Sequence, residues 1–239
     1  MASDEPPGKL IGAGRAADVY ALGDDRVLRR YRTDGSLQAE TADRTVRAEA
    51  EVMTYLAQVG FPVPKVYDAG GTDLVMQRLD GVDMLAAIQQ RPWKARYYGR
   101  LLAKLHDQLH EVKAPPSLRD SFAPGDRVMH LDLHPANVMM TSSGPVVIDW
   151  TNACAGTAGA DVATAYLIMV TSEVDDLKPT LKAAAKLLRG TLVRQFRSAV
   201  SVDLEPHLAL AARARMQDRN VRPAEAEQLR RIAEQAERS

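Results

Sequence analysis

The sequence predicts an α+β protein in two parts, with strands gathered before residue 80 and helices after it. Three observations predict it. Alternating character marks KLIGAGRAADVYAL, RVLRRYR, KVYDAGG and TDLVMQRLDG as short strands. One stretch of helical period, from about Leu37 to Val59, separates the two strand pairs. Beyond Gly81 the helical period dominates, most clearly in YYGRLLAKLHDQLHEV. The expected units are residues 1–80 and residues 81–239.

The elements follow in order. Residues 1–8 are polar and Pro-rich and read as a lead-in without fixed structure. Gly12-Ala13-Gly14 interrupts the first strand pattern, and Gly23-Asp24-Asp25 turns the chain into RVLRRYR. In the helix, Val46, Ala50, Met53 and Ala57 share a face, while Arg44, Arg47 and Glu51 lie largely off it. Gly60 and Pro62 end it. The Gly70-Gly71 pair suits a hairpin turn between the next two strands. After the amphipathic helix and the Pro-rich APPSLRDSFAPGD comes HLDLHPANVMMTSSGPVVIDW, read as loop, strand, turn at Ser143-Gly144 and strand. From Asp161 helices run almost to the end, with breaks near Gly190 and at residues 220–223. A strand-rich unit joined to a helical one is expected to leave a cleft for a small molecule.

Composition narrows the function classes. Lys+Arg and Asp+Glu both number 31, so net charge is zero and nothing favours binding to nucleic acid or an anionic membrane. Cys154 is the only cysteine, so no intrachain disulfide forms and a reducing, cytoplasmic setting is expected. MASDEPPGKL has neither a basic head nor an apolar run, so it does not read as a signal peptide. No segment approaches the ~20 apolar residues of a membrane span.

The chemistry is concentrated in residues 130–150. Asp132 and Asn137 stand five apart, and Asp149 ends the apolar run Val146-Val147-Ile148 twelve residues later. Carboxylate and amide oxygens are hard donors suited to Mg²⁺. Phosphoryl transfer from a nucleotide needs such an ion, together with a carboxylate that accepts the proton of the attacking hydroxyl. The protein-kinase order is base, four residues, Asn ligand, then a strand ending in the second Asp ligand. Local capping of turns is the ordinary role for any one of these residues. A zinc centre at His130 and His134 lacks a convergent third ligand. HDQLH, His106 to His110, has the spacing of a zinc helix but carries Asp107 where the Glu base belongs, and reads as an ordinary helix.

His130-Leu131-Asp132-Leu133-His134-Pro135-Ala136-Asn137 and Ile148-Asp149-Trp150 resemble the paired motifs of the aminoglycoside phosphotransferase and choline kinase branch of the protein-kinase-like superfamily. Leu131 stands where that branch usually has Gly, which is expected to alter loop packing more than chemistry. The resemblance runs over roughly residues 9–222, loosely in the last helices, and implies a bilobal protein-kinase-like fold. It implies Asp132 as catalytic base, Asn137 and Asp149 as Mg²⁺ ligands, and ATP, or GTP, as phosphoryl donor. Gly12 and Gly14 would cover the phosphates with backbone N–H groups, although Ala17 replaces a third Gly. Arg29 would grip the phosphates and pair with Glu49; Arg30 and Glu51 are the alternatives, and a strand lets only one of two neighbouring arginines face inward. Arginine here departs from the lysine of protein kinases, but its fork binds phosphate well. Amides around Gln77 to Leu79 would hydrogen-bond the base, and Asp161 would brace the catalytic loop.

The implied acceptor is a hydroxyl of a small molecule, whether an aminoglycoside-like antibiotic, a sugar or an amino alcohol. The acidic cluster Glu173, Asp175 and Asp176 is outweighed by Arg189, Arg194, Arg197, Arg213, Arg215, Arg219 and Arg222, which does not favour a strongly cationic one. Only eleven residues separate Asp149 from Asp161, too few for a peptide-docking segment. The rival reading is a nucleotide-binding scaffold without catalysis.

Overall fold

The computed structural model describes residues 8–14, 16–33, 39–172, 179–218 and 221–238. Arg15, Leu37, Glu173, Asp175, Asp176, Arg219, Asn220 and the lead-in residues 1–7 lie outside them. The chain divides into two compact units: Met1–Val82 with Met139–Ala153, and Asp83–Val138 with Cys154–Ser239.

In the first unit β1 (Leu10–Ala13), β2 (Ala17–Leu22), β3 (Arg26–Tyr31), β4 (Val66–Gly70) and β5 (Asp73–Gln77) form one antiparallel sheet in the order β1-β2-β3-β5-β4. Gly71, at φ 59°, makes the turn between β4 and β5, a left-handed conformation that a residue without Cβ adopts freely. α1 (Ala39–Gln58) buries Ala42, Val46, Glu49, Ala50, Val52, Met53 and Leu56. Ala57, expected on that face, is exposed: the stripe ends one residue earlier, at Leu56, where the helix runs out before Gly60. Leu28 and Leu74 complete the core beside the sheet.

The segment carrying Asp149 belongs to this unit. Short strands β6 (Val82–Asp83), β8 (Val138–Thr141) and β9 (Gly144–Val147) form a small sheet in the order β6-β8-β9. Val147 N–H donates to the Pro62 carbonyl. Trp150 then meets Phe61 edge to face, centroids 5.7 Å apart, and its indole N–H donates to Val147 O. A fully buried aromatic with its one donor satisfied anchors the chain firmly.

In the second unit come α2 (Met84–Gln90), α3 (Ala95–Glu111), β7 (Arg127–Met129), β10 (Cys154–Gly156), α4 (Ala158–Thr171), α5 (Pro179–Ala199), α6 (Leu208–Arg215) and α7 (Pro223–Ala236). β7 and β10 pair antiparallel, and the loop of Asp132 leaves the end of β7. α3 buries Leu102, Leu105 and Leu109 and packs on α5. Gly99 permits that approach, since a Cβ there would lie 2.6 Å from the Leu192 carbonyl oxygen. The expected break near Gly190 is absent: α5 continues through it, because one glycine costs a helix only about 1 kcal/mol and packing by Leu192, Val193 and Phe196 outweighs that. The second expected break, before α7, is present. Among the described residues no helix is long and apolar enough to cross a membrane.

Candidate active site

In the second unit, the loop after β7 starts from a buried anchor. His130 is fully buried, and its Nδ1 accepts the Asp132 N–H at 3.2 Å. Leu131 takes φ 61°, a left-handed conformation that costs a residue with a Cβ about 1–2 kcal/mol. Replacing glycine here therefore strains the backbone as well as changing packing: the side chain lies against the Ala123, Met129, Cys154 and Ala160 cluster. The strained turn is held by Asp161, whose Oδ1 accepts the Leu131 N–H at 2.7 Å and whose Oδ2 accepts the His130 N–H at 3.2 Å. Asp161 is fully buried. Burial pushes its pKa up, but His110, donating to Oδ2 at 2.9 Å, with His106 nearby and the Leu131 amide, brings it down to about 2.

Asp132 follows, with its side chain about a third exposed. Asn137 Nδ2 donates to the Asp132 carbonyl at 2.8 Å and to its Oδ2 at 3.1 Å. That leaves the Asn137 amide oxygen, an acceptor with no hydrogen bond among the described residues, as a hard donor. His134 caps the Pro135–Asn137 turn, its Nδ1 accepting the Ala136 N–H, and its Nε2 stands 3.5 Å from Asp132 Oδ1.

In the first unit a second cluster surrounds Arg29. The alternation of β3 sends Arg29 to the α1 side, where Nη1 donates to Glu49 Oε1 at 2.5 Å. Arg30 pairs instead with Asp73, at 2.6 and 2.7 Å. Glu51 is exposed, whereas Glu49 is buried and also accepts from the Tyr31 hydroxyl and the Trp150 N–H. Burial raises the Glu49 pKa, with Arg29 opposing the rise. Arg29 itself stays charged: burial works against the guanidinium, but Glu49 and Asp149 together raise its pKa.

The second arm of the Arg29 fork reaches Asp149. Nη2 donates to Asp149 Oδ1 at 2.8 Å and to Thr151 Oγ1 at 3.3 Å. Asp149 stands at φ 65°, ψ 67°, a left-handed conformation that Asp tolerates better than most residues, and its side chain is 40% exposed. Thr151 Oγ1 donates to Asp149 Oδ1 and lies 2.9 Å from the Tyr31 hydroxyl. Tyr31 and Thr151 are site residues that motif spacing did not mark. Tyr31 was findable as the residue two beyond Arg29 on the same strand face; nothing in the sequence signals Thr151.

Gly12 lies in β1 opposite Val19, and Gly14 N–H closes the hairpin on the Ala17 carbonyl at 2.8 Å. The expected row of open amides at the end of β5 is a correction. Gln77 N–H donates to Lys65 O and Arg78 N–H to Asp25 O, both at 2.8 Å, because β5 keeps pairing to its last residue. Leu79 has no such bond among the described residues.

The donor types at Asn137 and Asp149 suit a hard divalent cation. Among the described residues no three His, Cys, Asp or Glu side chains gather to hold a metal. The zinc-like pair has other partners: His106 Nδ1 lies 2.9 Å from Leu102 O, and His110 serves Asp161.

The model of a family described as the phosphotransferase enzyme family matches residues 7–127 and 114–197. No curated protein sequence matches the chain. Among solved structures, an ADP-bound aminoglycoside phosphotransferase, APH(2'')-Ib, is similar at 11% identity and TM-score 0.57, over 95% of this chain and 93% of that one. A choline/ethanolamine kinase family protein from Mesorhizobium loti is similar at 12% identity and TM-score 0.56, over 100% of this chain and 90% of that one. The amicoumacin kinase hAmiN, in complex with AMP-PNP, Ca²⁺ and Ami, is similar at 13% identity and TM-score 0.52, over 96% of this chain and 87% of that one. Likeness at this identity establishes a shared fold, the bilobal α+β fold of protein-kinase-like proteins.

Proposed function

Because the chain belongs to the phosphotransferase enzyme family, we propose that it transfers the γ-phosphoryl group of ATP, or GTP, to a hydroxyl of a small molecule. The observation that carries this reading is the Asp132–Asn137 pair: one side-chain amide fixes both the carbonyl and Oδ2 of Asp132, and Oδ1, with His134 Nε2 3.5 Å away, is the oxygen for a substrate hydroxyl. Asp132 orients that hydroxyl and takes its proton as the phosphoryl group leaves the nucleotide. Asn137 and Asp149 supply the oxygens that would hold Mg²⁺, whose charge offsets that of the phosphates. Arg29, steadied by Glu49, presents the positive charge on the nucleotide's side, and the turn at Gly12 to Gly14 lies over the phosphates. The backbone around Leu79 faces the base. On this reading Met1–Val82 with Met139–Ala153 serve the nucleotide, and Asp83–Val138 with Cys154–Ser239 bind and activate the acceptor. The amicoumacin and aminoglycoside enzymes among the similar structures keep antibiotics within the acceptor class, alongside sugars and amino alcohols. The proposed setting is the cytoplasm.

The test is consumption of Mg²⁺-ATP and Mg²⁺-GTP against a panel of hydroxylated antibiotics, sugars and amino alcohols. Asp132→Asn and Asp149→Ala should abolish turnover while leaving the circular dichroism of the fold intact. Turnover at the unsubstituted rate by either variant would sink the assignment. A second reading, nucleotide binding without catalysis, is favoured by one observation: Arg29 already neutralises Asp149. A pure binder would show saturable nucleotide binding and no Mg²⁺-dependent hydrolysis or transfer.

A further inference from the structure

His110 stands one residue before the end of α3, with a ring about nineteen-twentieths buried. Its Nε2 is 2.9 Å from Asp161 Oδ2, and a carboxylate oxygen can only accept, so Nε2 carries the proton. Its Nδ1 is buried with no hydrogen-bond partner among the described residues. Burying an imidazole with one nitrogen unsatisfied is unfavourable, so the bond made by the other nitrogen needs a reason.

The reason lies on the far side of Asp161. That carboxylate takes three donors: His110 Nε2–H and the N–H groups of His130 and Leu131. The two amides lie on either side of His130, and the second belongs to the peptide that enters Leu131, the residue with a Cβ at φ 61°. The amide after it, on Asp132, turns back to His130 Nδ1. Without His110, Asp161 would keep two amides but lose the side-chain donor that fixes its rotamer. A leucine forced into a left-handed turn gains most from a carboxylate that cannot rotate away.

We propose that His110 is a positioning residue: through Asp161 it holds Leu131 in its left-handed turn and so aims Asp132. This rests on the reading of Asp132 as the base, and it makes a statement about the loop that stands apart from catalysis. A glycine at position 131 would enter the turn without strain and would not need that support.

The experiment compares His110→Leu, His110→Gln, Leu131→Gly and the Leu131→Gly/His110→Leu double variant, all in the full chain. Backbone amide exchange at residues 130–132 is followed by mass spectrometry, with kcat and KM for Mg²⁺-ATP hydrolysis alongside. His110→Leu is expected to speed exchange there roughly tenfold and to lower kcat by a similar factor, the effect of losing one hydrogen bond to a charged group. KM for ATP should stay within about twofold, since the bond acts on the base and not on the nucleotide. His110→Gln should recover both readouts to within about threefold, because the glutamine amide nitrogen reaches the position of Nε2. In the Leu131→Gly background, His110→Leu should cost less than about threefold. Unchanged exchange in His110→Leu, or equal losses with and without the Leu131→Gly substitution, overturns the proposal. If His110→Leu does not fold, Leu131→Gly must restore a folded protein with protected loop amides, and failure to do so is equally fatal. Absence of any hydrolysis in the unsubstituted protein would count against the phosphotransfer reading alone, while exchange would still decide the role of His110.

Discussion

Replacing Arg29 by Met should destabilise the first unit through the charge it leaves behind. Methionine fills most of the same volume, so the cost is electrostatic, not that of a cavity. Arg29 is 11% exposed and Glu49 1%, and they meet at 2.5 Å. Breaking a buried pair by removing one partner costs about 3–5 kcal/mol. Glu49 keeps the Tyr31 hydroxyl and the Trp150 N–H, which places the expected loss near the lower end, about 3 kcal/mol. For a chain of this length that corresponds to a fall of roughly 6–12 °C in Tm. Urea unfolding followed by fluorescence in a Trp93→Phe background reads Trp150, which is buried beside this cluster while Trp93 is exposed. The pH dependence gives an independent check. Glu49 already has a raised pKa, and losing Arg29 raises it further. A carboxyl with a folded pKa above its unfolded value binds the extra proton in the folded state, so stability falls as pH rises through the folded pKa. The penalty should therefore be larger at pH 8 than at pH 5, and Glu49→Gln in the same background should remove most of it. A loss under about 1 kcal/mol at pH 8, or a penalty independent of pH, would refute the reasoning.

Three further outcomes are expected. Burial holds the His106 pKa down to about 4 from an ordinary 6.5, so the unfolded chain gains a proton that the folded one refuses. The His106 contribution to stability should be flat above pH 6.5 and fall between 6.5 and 4 by about 3 kcal/mol, at about 1.36 kcal/mol per pH unit; His106→Leu, followed by urea unfolding across that range, should flatten the slope. Gly99→Ala places a methyl 2.6 Å from the Leu192 carbonyl oxygen, so despite a propensity gain of about 1 kcal/mol it should lower stability by at least about 1 kcal/mol, read as a lower Tm. The Cys154 thiol is buried, and burial pushes its pKa up to about 12; it should resist an aromatic disulfide reagent at pH 8 until urea unfolds the protein.

Periodicity and spacing made much of this architecture legible. α3 announced itself because an apolar stripe over seventeen residues has few other uses, and the five strands of the first sheet followed from alternation between glycine turns. The choices left open at Arg29 or Arg30, and at Glu49 or Glu51, depended on which way each side chain points. A strand or helix settles that only when its register against the core is known, and here Arg29 and Glu49 face each other. Features made by distant contacts were illegible. Thr151 joins Arg29, Tyr31 and Asp149 only because Trp150 seats the chain against Phe61. In the sequence Leu131 is marked only as a replacement for Gly expected to change packing, yet the backbone there keeps a glycine conformation, its N–H held by Asp161 thirty positions away. His110 looked like half of an idle histidine pair until α4 placed a carboxylate beside it.

The return of residues 139–153 to the first unit has a consequence for the order in which the protein is made. A ribosome releases the five strands and α1 well before it reaches Trp150, so the nascent first unit lacks the indole that covers Phe61 and the carboxylate that shares Arg29. At 5–20 residues per second, the 71 residues from Asp83 through Ala153 take roughly 4–14 s to emerge. For that interval Glu49 and Arg29 have each other but not their full set of partners, and the apolar flank of α1 stays uncovered. A chain ending at Val82 is therefore expected to be an incomplete folding unit, and the interval before Trp150 arrives is when a chaperone would find the most to hold.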